Sequence, residues 1–114
     1  MSNDIEVSIR NRGDVAIIDI KGDVTGFTGE PIEDAYQQVT TDGSQKILFG
    51  FDNKCYINSG GIAILISIVG ESQEHEQTMR ITGLSDHFHK IFDMVGITRY
   101  IKIFPSEEAA LEGF

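Results

Sequence analysis

Ile5, Val7 and Ile9 alternate with Glu6, Ser8 and Arg10, a period of two that predicts a half-buried strand. Asn11-Arg12-Gly13-Asp14 has turn chemistry, and Val15–Ile20 is a second strand, so the two form a hairpin. The second strand is apolar almost throughout, with Asp19 as the interruption, which predicts burial on both faces. Thr28-Gly29-Glu30-Pro31 opens a helix, and Ile32, Ala35, Tyr36 and Val39 fall on one side of it. Thr40-Thr41-Asp42-Gly43-Ser44 stops it, and Lys46–Phe51 reads as a central strand.

After the polar loop Asp52-Asn53-Lys54, Cys55-Tyr56-Ile57 leads into the most hydrophobic helical pattern of the chain. Ser59 is placed as its N-cap, accepting from a backbone N–H two or three residues on. Ile62, Leu65, Ile66 and Val69 mark one face, while Ala63, Ile64 and Ile68 cover much of the rest. A helix apolar on most sides is either deeply buried or holds an exposed patch for a partner. Thr78–Thr82 is a short strand. The next helix has Ser85 as cap, Leu84, Phe88, Ile91, Phe92 and Val95 as its apolar side, and Gly96 as its stop. Arg99–Phe104 reads as a last strand, and Ser106 caps a final short helix whose first turn carries Glu107 and Glu108. The order β-β-α-β-α-β-α-β-α predicts one α/β domain over residues 1–114, with a mostly parallel mixed sheet and right-handed crossovers.

Composition narrows the class. A chain of 114 residues suits one compact core, and no apolar run reaches the ~20 residues of a membrane helix, so no membrane insertion is expected. Met1-Ser2-Asn3-Asp4 lacks the basic and apolar regions of a signal peptide, which makes a cytoplasmic protein the expectation. A formal net charge of -9 repels nucleic acid and anionic headgroups and would favour a partner with a basic face, but the acidic residues are scattered rather than gathered in one tail, so solubility is the simplest account. The single cysteine, Cys55, excludes an internal disulfide and reads as a packed thiol. No Cys/His cluster has metal-ligand spacing, and no phosphate-binding glycine–lysine motif is present, so neither metal nor nucleotide cofactor is expected.

The stretch Tyr56-Ile57-Asn58-Ser59-Gly60-Gly61-Ile62-Ala63-Ile64 places a small hydroxyl at the positive end of a helix, where an anion is favoured. It resembles the signature loop of the STAS domain, the family of bacterial anti-sigma-factor antagonists. That loop reads apolar-apolar-Asp-Ser-Ser/Thr/Ala-Gly-Leu-Gly-apolar. Ser59 falls on the family's phosphoacceptor and Gly61 on its glycine; Asn58 replaces the Asp, and Gly60 the second small residue. Gly22-Asp23-Val24-Thr25 resembles the family's Gly-Glu-Leu-Asp segment. Phe88–Gly96 is similar to its apolar-x-Lys/Arg-apolar-Phe-x-x-x-Gly helix, and Phe104–Leu111 to its Ser-x-x-x-Ala-Leu ending.

The resemblance implies a non-enzymatic switch in signal transduction and transcription regulation. Unmodified, the domain would bind an anti-sigma factor that is also a serine kinase; phosphorylated on Ser59, it would release it. Asp23, Thr25, Asn58, Gly60, Gly61 and Ile62 would form the partner surface, and weak homodimerisation stays open. The alternative is a STAS scaffold or adaptor in a sensor, transport or lipid-trafficking complex, without phosphorylation. A serine hydrolase has little support: Ile57 stands where Gly-x-Ser-x-Gly needs its first glycine, and His75, His87 and His89 are expected on the surface.

Overall fold

In a computed structural model, residues 5–114 are described; Met1–Asp4, on which the signal-peptide reading rests, lie outside them. The chain runs β1 (Ile5–Arg12), β2 (Val15–Val24), α1 (Glu30–Thr41), β3 (Lys46–Phe51), β4 (Tyr56–Ile57), α2 (Ser59–Glu74), β5 (Thr78–Thr82), α3 (Asp86–Val95), a 3-10 turn (Ile97–Arg99), β6 (Lys102–Phe104) and α4 (Glu107–Leu111). The expected α/β order holds, with one insertion: the dipeptide strand β4.

The sheet has the order β1-β2-β3-β5-β6. The β1–β2 hairpin is antiparallel, and β2 pairs parallel with β3, β3 with β5, and β5 with β6. Strand β2 is long. Its pairing with β3 ends at Ile20, and β4 takes up the vacant edge, opposing Asp23 with Tyr56 and Val24 with Ile57. A two-residue strand carries too little alternation to be read from sequence.

Successive residues of β2 point to opposite faces, and both faces are covered. Ala16, Ile18 and Ile20 join Ile47, Phe49 and Phe51 beneath α1, α2 and α3. Val15 and Ile17 join Leu48 beneath Ala110 of α4. The expected inner side of α1, Ile32, Ala35, Tyr36 and Val39, is buried in full. Ser85 and Ser106 cap α3 and α4 as expected, accepting from the N–H of Phe88 and Ala109. Gly96 takes the left-handed conformation (φ 90°) that ends α3.

Two expectations are corrected. The last strand is shorter than Arg99–Phe104, because the chain first makes a 3-10 turn that sends Ile97 and Ile101 into the core. The buried side of α2 is Gly61, Leu65, Ile68, Val69 and Ser72, so Ile62 is only half-covered and Ile66 is 46% exposed. The contact that sets this rotation lies at the helix start and is described below.

Helix α4 is tied to the hairpin by charge. Arg10 bonds Asp19 and Glu107, and Arg12 bonds Glu107 and Glu108. Hydrogen bonds from Arg10, then Arg12, hold the Glu107 carboxyl down to about 2. A carboxyl depressed in the folded state contributes stability that is present above its ordinary value of 4.5 and lost as the pH falls toward 2. Both arginines are half-exposed, so solvent screening limits the effect to about 1 kcal/mol. In denaturant titrations at a series of pH values, stability should therefore fall more steeply for the native chain than for Glu107→Gln between pH 4.5 and 2. Parallel curves would remove Glu107 from the account.

Candidate functional site

The site lies at the carboxyl end of β2, where the chain leaves the sheet beside the start of α2. Crevices beyond the carboxyl ends of parallel strands are the usual binding places of open α/β sheets. The carbonyl of Val24 accepts from the N–H of Asn58 at 3.1 Å, which ties the loop before α2 to the end of β2. The helix meets the strand here without a side chain of its own. A Cβ on Gly61 would stand 2.2 Å from the Val24 carbonyl oxygen, and one on Gly60 would stand 2.8 Å from the backbone nitrogen of Gly26. Both glycines are required by this close backbone approach, and Gly61 sets which side of α2 faces inward.

The helix cap differs from expectation. Asn58, in extended conformation, is the N-cap, and its side-chain oxygen accepts from the N–H of Gly61 at 2.9 Å. Asn and Ser cap about equally well, and Asn58 comes one residue earlier. Ser59 is therefore the first residue of the helix and is exposed. Its hydroxyl makes no hydrogen bond among the described residues.

Across from Ser59, the β2–α1 loop is built by two threonines. The Thr25 hydroxyl accepts from the N–H of Phe27 at 3.0 Å and of Thr28 at 3.2 Å. Thr28 Oγ1 accepts from the Thr25 N–H at 2.9 Å and donates to the Asp23 carbonyl at 2.6 Å. Asp23 itself is exposed beside Tyr56. The structure thus brings Asp23, Thr25, Asn58, Ser59, Gly60 and Gly61 into one place, but they differ in what they offer. Asp23 and Ser59 present side chains to solvent. Asn58 Oδ1 and Thr25 Oγ1 are taken up by backbone N–H groups, Gly61 is buried, and half-buried Ile62 packs against the core.

Two aromatic residues frame this surface: Phe27, not singled out from the sequence, and Tyr56, given no role in binding there. Phe27 is 100% exposed at the tip of the threonine-built loop. Tyr56 is 55% exposed, with its ring set edge-on to Phe88. The signal for Phe27 was available: an aromatic between Gly26 and Thr28 has no periodic apolar neighbours to pack with.

The remaining candidates are scattered. Cys55 is buried, its thiol donating to the Ile20 carbonyl, and burial pushes its ionisation up. His75, His87 and His89 are all exposed. Among the described residues, no three His, Cys, Asp or Glu side chains group to hold a metal ion, and no helix is long and apolar enough to cross a membrane.

The family model for the STAS domain matches residues 6–110. The chain belongs to the STAS domain family. This STAS domain resembles several solved structures. An anti-sigma factor antagonist from Mycobacterium paratuberculosis superposes with a TM-score of 0.81 at 15% identity, covering 94% of this chain and 91% of that one. The Bacillus cell-fate determinant SpoIIAA in its phosphorylated form gives 0.65 at 14% identity, with 91% and 96% covered. SpoIIAA, there described as an anti-sigma factor antagonist, gives 0.69 at 13% identity in its unphosphorylated form, with 94% and 96% covered. At such identities the likeness carries the fold, and the STAS architecture is common to all three.

Backbone contact at the STAS loop makes a sharp prediction. Gly61→Ala must push α2 away from Val24 and should cost about 2–3 kcal/mol, whereas Asn58→Ala, which removes only the cap, should cost about 1 kcal/mol. Chemical denaturation of the two variants checks both the values and their order. Equal costs would mean that the helix start is free to shift.

Proposed function

We propose that this STAS domain is an anti-sigma-factor antagonist whose binding is switched by phosphorylation of Ser59. It acts as a binding module rather than an enzyme, and residues 1–114 form one such unit. The observation that carries the reading is the Ser59 hydroxyl: exposed, outside the capping bond, and in the first turn of a 16-residue helix. The partner is an anti-sigma factor with serine-kinase activity, which brings its own nucleotide; this chain has only to present the acceptor. Asp23, Thr25, Asn58, Gly60, Gly61 and Ile62 form or shape the contact surface.

The electrostatics suit a switch. Phosphorylation adds about -1.5 to -2 charges at neutral pH. On the free domain this charge meets the N–H ends of the first turn and the surrounding water, so the fold tolerates it. Inside a close-packed complex the same dianion and its hydration shell have no room. One modification thus leaves the domain folded and removes its partner.

The second reading, a scaffold or adaptor that is never phosphorylated, is favoured by one observation: Asn58 supplies no negative charge beside the acceptor. Incubation of the chain with ATP and the anti-sigma-type serine kinase encoded nearest its gene, followed by mass spectrometry, separates the two. A single phosphate on Ser59, absent from Ser59→Ala, is expected. Ser59→Asp should keep the native melting temperature within a few degrees and bind the kinase at least about 10-fold more weakly. No phosphate, with intact binding to a non-kinase partner, selects the scaffold.

A further inference from the structure

We infer that Phe27 is the anchor by which this domain holds its partner, and that the partner surface is an apolar pocket rimmed by basic side chains. The inference rests on the partner-switching reading of Ser59 and names the chemistry that the partner must supply.

Phe27 has the largest exposure among the large hydrophobic side chains described, at 100%. An aromatic ring left in water contributes nothing to the fold, while its burial in a complex is strongly favourable. The ring is not on a slack loop. Its own N–H is held by Thr25 Oγ1, and the turn is closed by the Thr28 hydroxyl bond to the Asp23 carbonyl. A side chain with two torsions on a fixed backbone loses little freedom on binding, as aromatic anchors at interfaces do.

Its position ties it to the switch. Gly26 and Gly60 pack backbone to backbone, and Phe27 and Ser59 are their respective neighbours. Their Cα atoms are therefore no more than about 12 Å apart, two Cα steps plus the glycine contact. A partner that buries the ring also covers the Ser59 hydroxyl.

Charge fixes the rest of the partner's chemistry. The stretches that build this surface, residues 22–30 and 55–62, contain Asp23 and Glu30 and no Lys or Arg; the exposed Lys21 and Lys54 lie just outside them. Asp23, four residues before Phe27, and Glu30, three residues after it, are exposed. Basic groups opposite these carboxylates complement the rim and speed encounter. They do not solvate a phosphate at the packed centre, so an acidic surface and release on phosphorylation are compatible.

The test compares binding of the full chain and its variants to the purified anti-sigma-type serine kinase, by calorimetry at physiological salt. Phe27→Ala should weaken binding by about 30-fold or more with an unchanged melting temperature, and Phe27→Trp should restore most of the loss. The rate of Ser59 phosphorylation should show a raised KM and an unchanged kcat. Met94→Ala, at another exposed apolar side chain (83%) away from this loop, should bind as the native chain does. Binding of Phe27→Ala within about twofold of native, or an equal loss from Met94→Ala, overturns the anchor while leaving the switch standing. A native chain that is neither bound nor phosphorylated overturns the partner-switching reading, and the anchor falls with it. If sedimentation shows a native homodimer that Phe27→Ala converts to monomer, the ring serves self-association, and the inference is again overturned.

Discussion

The backbone of α2 rests directly on the backbone at the end of β2. At most helix–sheet contacts a layer of side chains separates the two. Here Val24 meets Gly61, and Gly26 meets Gly60, with no Cβ intervening. The carbonyl of Val24 also takes the N–H of Asn58, which makes the entry to the helix an extension of the sheet. Every feature of the site follows. The helix cannot roll, so the residue preceding the glycines turns outward, and the loop after β2 is brought against the same turn. The apolar character of α2 does not decide its orientation, since that character runs most of the way round; the missing side chains do.

This contact is local to one end of β2, and the rest of the strand anchors it. Toward its start, β2 is covered by α4, and its hairpin partner β1 is tied to that helix by Arg10 and Arg12 through Glu107 and Glu108. In its middle it carries Ile17, Ile18 and Ile20, each almost fully buried. The exposed end is therefore presented by a strand fixed on both faces, the arrangement in which a small polar site is most accurately placed. Ser59 lies outside both hydrophobic clusters, so the proposed phosphorylation would require no core residue to be desolvated or re-solvated.

Much of this was legible from the chain itself. The hairpin, the inner side of α1, the serine caps of α3 and α4 and the glycine stop after α3 rest on periodicities and local bonds that sequence states directly. What escaped rests on tertiary contact. The inward side of α2 was misread by about one position, because Gly61 has no side chain to enter a hydrophobic pattern yet makes the deciding contact. The dipeptide β4 exists only because β2 outruns β3, a difference in length that no window over residues 55–57 records. The last strand was overdrawn because alternation at Tyr100, Lys102 and Phe104 hid the burial of Ile97 and Ile101 on the opposite parity. Among the site residues, Ser59 and Asp23 were found by motif, whereas Phe27 lay in a loop where apolar residues are not expected to matter.

The shift of the cap from Ser59 to Asn58 bears on whether such a site can be modified without harm. A serine that caps a helix holds a backbone N–H with its own oxygen; esterifying that oxygen puts the cap bond and the new phosphate in competition. Here the amide oxygen of Asn58 does the capping, 2.9 Å from the Gly61 nitrogen, and it stays where it is whatever happens one residue on. The Ser59 hydroxyl is left with no structural duty. Replacing an aspartate by Asn58 removes a charge from the loop, but it keeps the acceptor atom that the helix needs. The substitution therefore separates two roles that the same short motif has to fill, holding the helix and offering an alcohol. Only the second would be touched by the proposed phosphorylation.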